Sequence, residues 1–135
     1  MITQAKKLLK TEGLTCVLIN ARETKTFSAP GIKHLIDWHT ENPNVFRDAV
    51  IADTVIGLAA ASILVFGGIK AVYGEIMSIS AAELLQSHGV MFSYGKFVKN
   101  IMNRAKTDIC PMERICLGLG PSDAFERLKA KVLDI

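Results

Sequence analysis

Apolar positions recur at helical spacing near the start of the chain, where Ile2, Ala5, Leu8 and Leu9 share one side of residues 2 to 12. That spacing predicts a short amphipathic helix, ended by Gly13. Leu14 to Ala21 (LTCVLINA) is apolar and β-branched, as a central strand requires, and Thr24 to Ala29 (TKTFSA) alternates as a more exposed return strand. Pro30-Gly31 break this pattern, and Ile32, Leu35, Ile36 and His39 then recur at helical intervals until Pro43. The stretch RDAVIAD reads as an extended lead-in whose Ala49 to Ala52 points into the core.

Asp53 to Gly68 (DTVIGLAAASILVFGG) breaks the amphipathic rule, because it is apolar on every side and uncharged from Thr54 to Ile69. Such a helix is either a membrane span or the centre of a core. Spanning a bilayer takes roughly 18 or more apolar residues, and this run is shorter. It is therefore expected to be a buried central helix, with Asp53 as N-cap and Gly67-Gly68 as stop. Lys70 to Ser78 predicts a strand, Ser78 or Ser80 caps a helix over AAELLQSH, and Gly89 closes it. VMFSY predicts another strand, and the signal fades from Lys96 to Asp108. Pro111 suits the first turn of a helix ended by Gly118 or Gly120, and PSDAFERLKAKVLDI predicts a last amphipathic helix.

Hairpin, buried helix, strand, helix, strand, helices: this order implies a three-layer α/β/α sandwich with a mixed sheet. Crossovers through helices 53–66 and 80–88 should join neighbouring parallel strands, while the first two strands pair antiparallel. Ligands in such sheets collect where helix N-termini meet strand C-termini. With 135 residues, one domain spanning the chain is expected. A hydrophobic content of 50% argues for a globular core, and a net charge of +3 without a basic stripe argues against nucleic acid as partner. The start has no apolar secretory region, and Cys16, Cys110 and Cys116 form neither a paired framework nor a CxxC, so a reduced, cytoplasmic setting is expected.

The order of elements resembles the cytidine deaminase-like fold. ADTVIGLAAA (Ala52 to Ala61), Gly67-Gly68 before a strand, AAELLQSHG and CPME (Cys110 to Glu113) resemble, more closely, an uncharacterised bacterial family catalogued as domain of unknown function 1893. The resemblance spans about residue 12 to the last helix and implies a fold without an assigned reaction. Zinc deaminases carry H-x-E on the central helix and P-C-x-x-C on the next. Here Asp53 falls near the first ligand position, Val55 stands in place of the proton-shuttling glutamate, and the next helix has no cysteine. One carboxylate does not hold zinc, since such sites take about three or four protein ligands. Neither a metal nor a cofactor is expected.

Asp53 reads both as a helix N-cap, worth about 1 kcal/mol, and as part of a ligand pocket. Cys110 precedes Pro111 at a helix start, where the positive end of the dipole favours a thiolate. Glu113 closes a capping interaction or lies beside that thiol as acid or base, where its charge would oppose the thiolate. His34, His39 and His88 show no ligand spacing, and Cys16 reads as a small core residue. Trp38 and Phe46 read as covers for the edge of the core.

The leading expectation is a binding protein for an unidentified small molecule, nucleotide- or nucleobase-like by analogy of fold. Its ligand-binding candidates are Asp53, Thr54, Ser78, Ser80, Cys110 and Glu113, where helices starting at Asp53, Ser80 and Cys110 converge. One alternative is a thiol-dependent enzyme with Cys110, Glu113 and Asp53 as catalytic residues. The other is a non-enzymatic interaction or regulatory module, as a homo-oligomer. No membrane partner is expected.

Overall fold

A computed structural model describes residues 1–11, 13–103 and 105–133. Alternating and β-branched sequence builds five strands in one mixed sheet: β1 (Cys16–Ile19), β2 (Thr24–Phe27), β3 (Val50–Ile56), β4 (Ala71–Ser78) and β5 (Met91–Val98), in the order β2-β1-β3-β4-β5. β1 pairs antiparallel with both β2 and β3, whereas β3, β4 and β5 run parallel. The β1–β2 turn is shaped by Asn20, whose side-chain oxygen accepts the backbone N–H groups of Arg22 and Glu23 at 2.9 Å each. The expected hairpin and both parallel crossovers are present.

The sheet is covered unequally. On one face lies α1 (Ile2–Thr11), whose Ala5 and Leu9 pack on Val17, Ile19, Val50, Ala52 and Tyr73. On the other lie α2 (Lys33–Glu41), α3 (Leu58–Gly67), α4 (Ile79–Ser87), α5 (Pro111–Cys116) and α6 (Pro121–Leu133). Their core includes Leu18, Leu35, Ile51, Leu64, Leu85 and Leu128. α3 is buried on nearly every side because it touches α2, α4, α5 and α6 as well as the sheet. This crowding explains why its sequence lacks a polar face. Ser62, buried within it, donates its hydroxyl to the Leu58 carbonyl at 2.7 Å and so leaves no unpaired group. No described helix is long and apolar enough to cross a membrane.

Two expectations about the centre of the chain are corrected. Asp53 is not a helix N-cap: it lies inside β3, and the central helix begins at Leu58 with Gly57 as its N-cap. The reason is the β-branched run of VIADTVI, which finds strands on both sides. The supposed lead-in is therefore the middle strand of the sheet, extended by the first residues assigned to the helix. At its other end the helix stops as expected, with Gly68 in the left-handed region at φ 84°. β5 is also longer than VMFSY, and forms an open edge on which Met91, Tyr94 and Phe97 are exposed.

Candidate functional site

The C-terminal end of β3 opens into a cavity of about 510 Å³. Asp53, Thr54 and Val55 reach it from β3, and Gly57, Ala59 and Ala60 from the start of α3. Pro30 to Lys33 close one side, and Ile101, Met102, Cys110, Met112, Glu113 and Val132 close another. Its position follows the expected rule, because β3, parallel to β4, ends here while the neighbouring β1 runs the opposite way.

Glu113 holds the roof together. Its Oε1 accepts the Leu58 N–H at 2.6 Å, and its Oε2 accepts the Ala59 N–H at 2.7 Å. The first turn of α3 has no cap from its own side chains, since the N-cap is Gly57. A carboxylate from α5 supplies what that helix end lacks, and its charge suits the positive end of the dipole. Glu113 thus caps the central helix, not its own. Burial pushes its carboxyl above the usual range, against the opposing effect of the two N–H donors. A side chain at residue 57 would collide with this carboxylate, which accounts for glycine there.

Asp53 is also buried, with 7% of its surface exposed. Its Oδ1 accepts the Val55 N–H at 3.1 Å and lies 3.4 Å from the Thr54 hydroxyl. Burial nevertheless pushes its carboxyl up to about 7, outweighing hydrogen bonds from Val55, Cys16 and Thr54.

β1 places Cys16 directly across from Asp53, so both side chains share one face of the sheet. α2 lowers His34 onto the same spot. Donor atoms of Cys16, His34 and Asp53 all lie within 4.8 Å of one another. This trio is the group among the described residues that could hold a metal. The His34 ring is stacked on Phe27 at 4.1 Å and meets the edge of Trp38 at 5.1 Å. Neither of its buried nitrogens has a hydrogen-bond partner among the described residues. Burial brings the imidazole down to about 4, against the pull of Asp37. Burial also raises the Cys16 thiol well above its ordinary value, with Asp53 adding to the effect.

Of the residues singled out in the sequence, Asp53, Thr54, Cys110 and Glu113 line one cavity. Ser78 and Ser80 do not. Ser78 caps α4 by accepting the Ala81 N–H at 3.2 Å, and its hydroxyl lies 3.2 Å from that of Ser80. Cys110 is half-buried at the N-cap of α5, and its backbone N–H donates to the Ile101 carbonyl at 2.9 Å. Cys16 and His34 were missed as site residues because no local spacing joins them. Only the β1–β3 register brings the cysteine to Asp53.

Sheet, helical cover and cavity define an α/β protein with a ligand-sized pocket at the carboxyl end of its central strand. The chain belongs to the family described as domain of unknown function (DUF1893), which matches residues 4–132. It is similar to the crystal structure of a DUF1893 family protein (TM1506) from Thermotoga maritima, with a TM-score of 0.87 and 21% identity over 96% of this chain and 88% of that one. At that identity the likeness shows the fold alone. No curated protein matches the chain.

Gly57→Ala is expected to destabilise the protein by about 1–3 kcal/mol through overpacking against Glu113. The double variant with Glu113→Ala should cost less than the sum of the two changes, because the clash and the cap share one carboxylate. Urea unfolding of the four proteins measures this; strict additivity would contradict it.

A second expectation concerns pH in chelator-treated protein. Asp53 moves from 3.8 to about 7 on folding, so its folded form holds a proton that the unfolded chain releases, and its contribution to stability falls as pH rises from 4 to 7. That change amounts to about 4 kcal/mol. His34 moves from 6.5 to about 4, so its contribution has the opposite slope and rises over much of the same window. Asp53→Asn should leave the His34 slope unopposed. Unfolding free energies between pH 4 and 7 should then climb more steeply with pH in the variant than in the parent, and parallel profiles would refute the assignment.

Proposed function

We propose that the protein binds a small, uncharged, ring-bearing molecule of the nucleobase or nucleoside class in the cavity beside Asp53, on a cytidine deaminase-like scaffold. The cavity carries this reading: about 510 Å³ of space with two buried carboxyl groups on an otherwise largely apolar wall. Ligand pockets commonly measure about 300–1,000 Å³ and fix their ligands with few polar groups. Ile32, Ile101, Met112 and Val132 offer apolar contact. Asp53, titrating near 7, presents a carboxyl group that can accept a hydrogen bond and, when protonated, donate one. An amide or amidine edge of a heterocycle needs that combination. Glu113 is occupied by two backbone N–H groups, so Asp53 with Thr54 supplies the remaining polar edge.

A phosphate group is less well served. Lys33 is the one Lys or Arg side chain among the described lining residues. The favoured ligand is accordingly a base or nucleoside over a nucleotide. Hydrolytic zinc chemistry of the deaminase kind is not part of this reading. α3 opens with Leu58-Ala59-Ala60 and α4 with Ile79-Ser80-Ala81, which offer neither cysteine nor histidine.

Thermal unfolding against bases, nucleosides and nucleotides at millimolar concentration tests the proposal. A ligand at a hundred times its dissociation constant should add about 2.7 kcal/mol. Bases or nucleosides should raise the Tm more than their phosphorylated forms, and Asp53→Asn should reduce that shift. No shift with any compound would overturn the reading.

A thiol-dependent reaction at the same place is the second reading, favoured by one observation. Cys110 lies on the cavity wall, while Cys16 and Cys116 are buried. Asp53 would serve as the acid or base, with Glu113 holding the roof. Iodoacetamide should modify Cys110 before the other two thiols in the native protein, and a stabilising ligand should slow that modification. A Cys110 rate at or below that of the buried thiols, read by peptide mass analysis, would remove the thiol reading.

A further inference from the structure

We propose that Cys16, His34 and Asp53 form a mononuclear binding site for a zinc-class divalent cation. The site lies between β1, β3 and α2, away from the first turns of α3 and α4 where deaminase ligands would be sought. It needs no organic ligand in the cavity, although it shares Asp53 with the reading above.

Three features of this trio point to a metal. The first is convergence: a thiol, an imidazole and a carboxyl come within 4.8 Å of one another although their residues are far apart in sequence. Ligand atoms around tetrahedral zinc, with bonds of about 2.0–2.3 Å, lie roughly 3.5 Å apart. Closure therefore asks for side-chain movements on the order of an ångström. The second is the state of His34. Its residue is 4% exposed, both ring nitrogens are buried, and neither has a partner among the described residues. Buried polar atoms are rarely left so, because each costs about 1–3 kcal/mol. A cation bound by one nitrogen satisfies a group that the protein leaves unmatched. The third is the donor set. Thiolate, imidazole and carboxylate together suit a borderline-soft ion such as zinc better than magnesium or calcium, which prefer oxygen.

A hydrogen-bonded nucleophile is the competing use of a Cys-His-Asp trio. Cys16 has no exposed surface, so a substrate could not reach its sulfur. Metal binding requires no such access for the ligand itself. Three protein ligands leave one coordination position, as in sites where zinc acts on a bound molecule. Asp53 belongs to both the trio and the cavity wall, so an ion there would lie next to a cavity occupant. Phe27 and Trp38 hold the imidazole plane from two sides, which keeps the nitrogen ligand in place before the ion arrives.

The test uses the full chain, stripped with chelator and titrated with zinc or cobalt(II) without any organic compound. One equivalent should bind, the Tm should rise with zinc, and cobalt should show a thiolate charge-transfer band with the intense visible bands of four-coordination. Cys16→Ser should abolish the thiolate band, while His34→Gln and Asp53→Asn should weaken binding at least about tenfold. His88→Gln, at the exposed end of α4, should change nothing. If a buried variant fails to fold, anomalous scattering at the zinc edge from crystals of the zinc-titrated parent decides. A peak among the three side chains supports the site. Absence of that peak, absence of stoichiometric binding, or a thiolate band that survives Cys16→Ser overturns it. Because the titration contains no base or nucleoside, its failure leaves the cavity-ligand proposal to its own experiment.

Discussion

The Glu113 carboxylate, clasped by the N–H groups of Leu58 and Ala59, is the contact on which the candidate site depends. The first turn of a helix presents N–H groups without partners inside the helix, and leaving buried ones unpaired costs about 1–3 kcal/mol each. Gly57 contributes no side chain to cap them, and no side chain would fit, because the carboxylate fills that space. A short helix far along the chain thereby becomes part of the central one. α5 is docked against α3, and Cys110 and Met112 are carried to the cavity wall beside the end of β3.

This arrangement also separates the roles of two buried carboxyl groups that the sequence offers as similar. Glu113 meets two strong donors at a helix N-terminus, so its oxygens are committed to structure. Asp53 meets the Val55 N–H, the Cys16 thiol and the Thr54 hydroxyl, yet burial outweighs them and its proton is retained up to about pH 7. A carboxyl poised there can change its charge in response to what enters the cavity, whereas Glu113 can do so only by loosening α3. Burial is the first cause of the rise in both, and it acts more strongly on Asp53, which lies deeper below the surface.

Much of the architecture was legible in the sequence because its elements announce themselves locally. The amphipathic spacing of Ala5 and Leu9, the Pro30-Gly31 break, Ser78 as a cap and Gly68 as a left-handed stop are each decided within a few residues. β3 was obscured because its apolar residues run without interruption into those of α3, so hydropathy shows no boundary at Gly57. What separates them is backbone pairing: Cys16 and Gly74 flank Asp53 on either side, and neither is near it in sequence. The cavity was legible in part for the same reason. Asp53, Thr54, Cys110 and Glu113 come from stretches with visible helix or strand signals, yet the bond from Glu113 to α3 spans 55 residues and leaves no periodic trace.

Cys16 and His34 extend that lesson to chemistry. In a strand reading CVLI, a cysteine looks like one more small apolar residue, and a histidine on the covered face of a helix looks like packing. Packing does describe the His34 ring, which lies flat on Phe27, but it does not describe its nitrogens. A wholly structural histidine would be expected to find a carbonyl, a hydroxyl or a carboxylate for at least one of them. Here the nearby candidates are a thiol and a carboxyl group that burial keeps protonated over much of the accessible pH range, so the three groups meet without mutual charge to bind them. A divalent cation would turn the same arrangement from an uncompensated cost into a set of bonds, because its charge favours the deprotonated thiol and carboxyl that burial otherwise opposes.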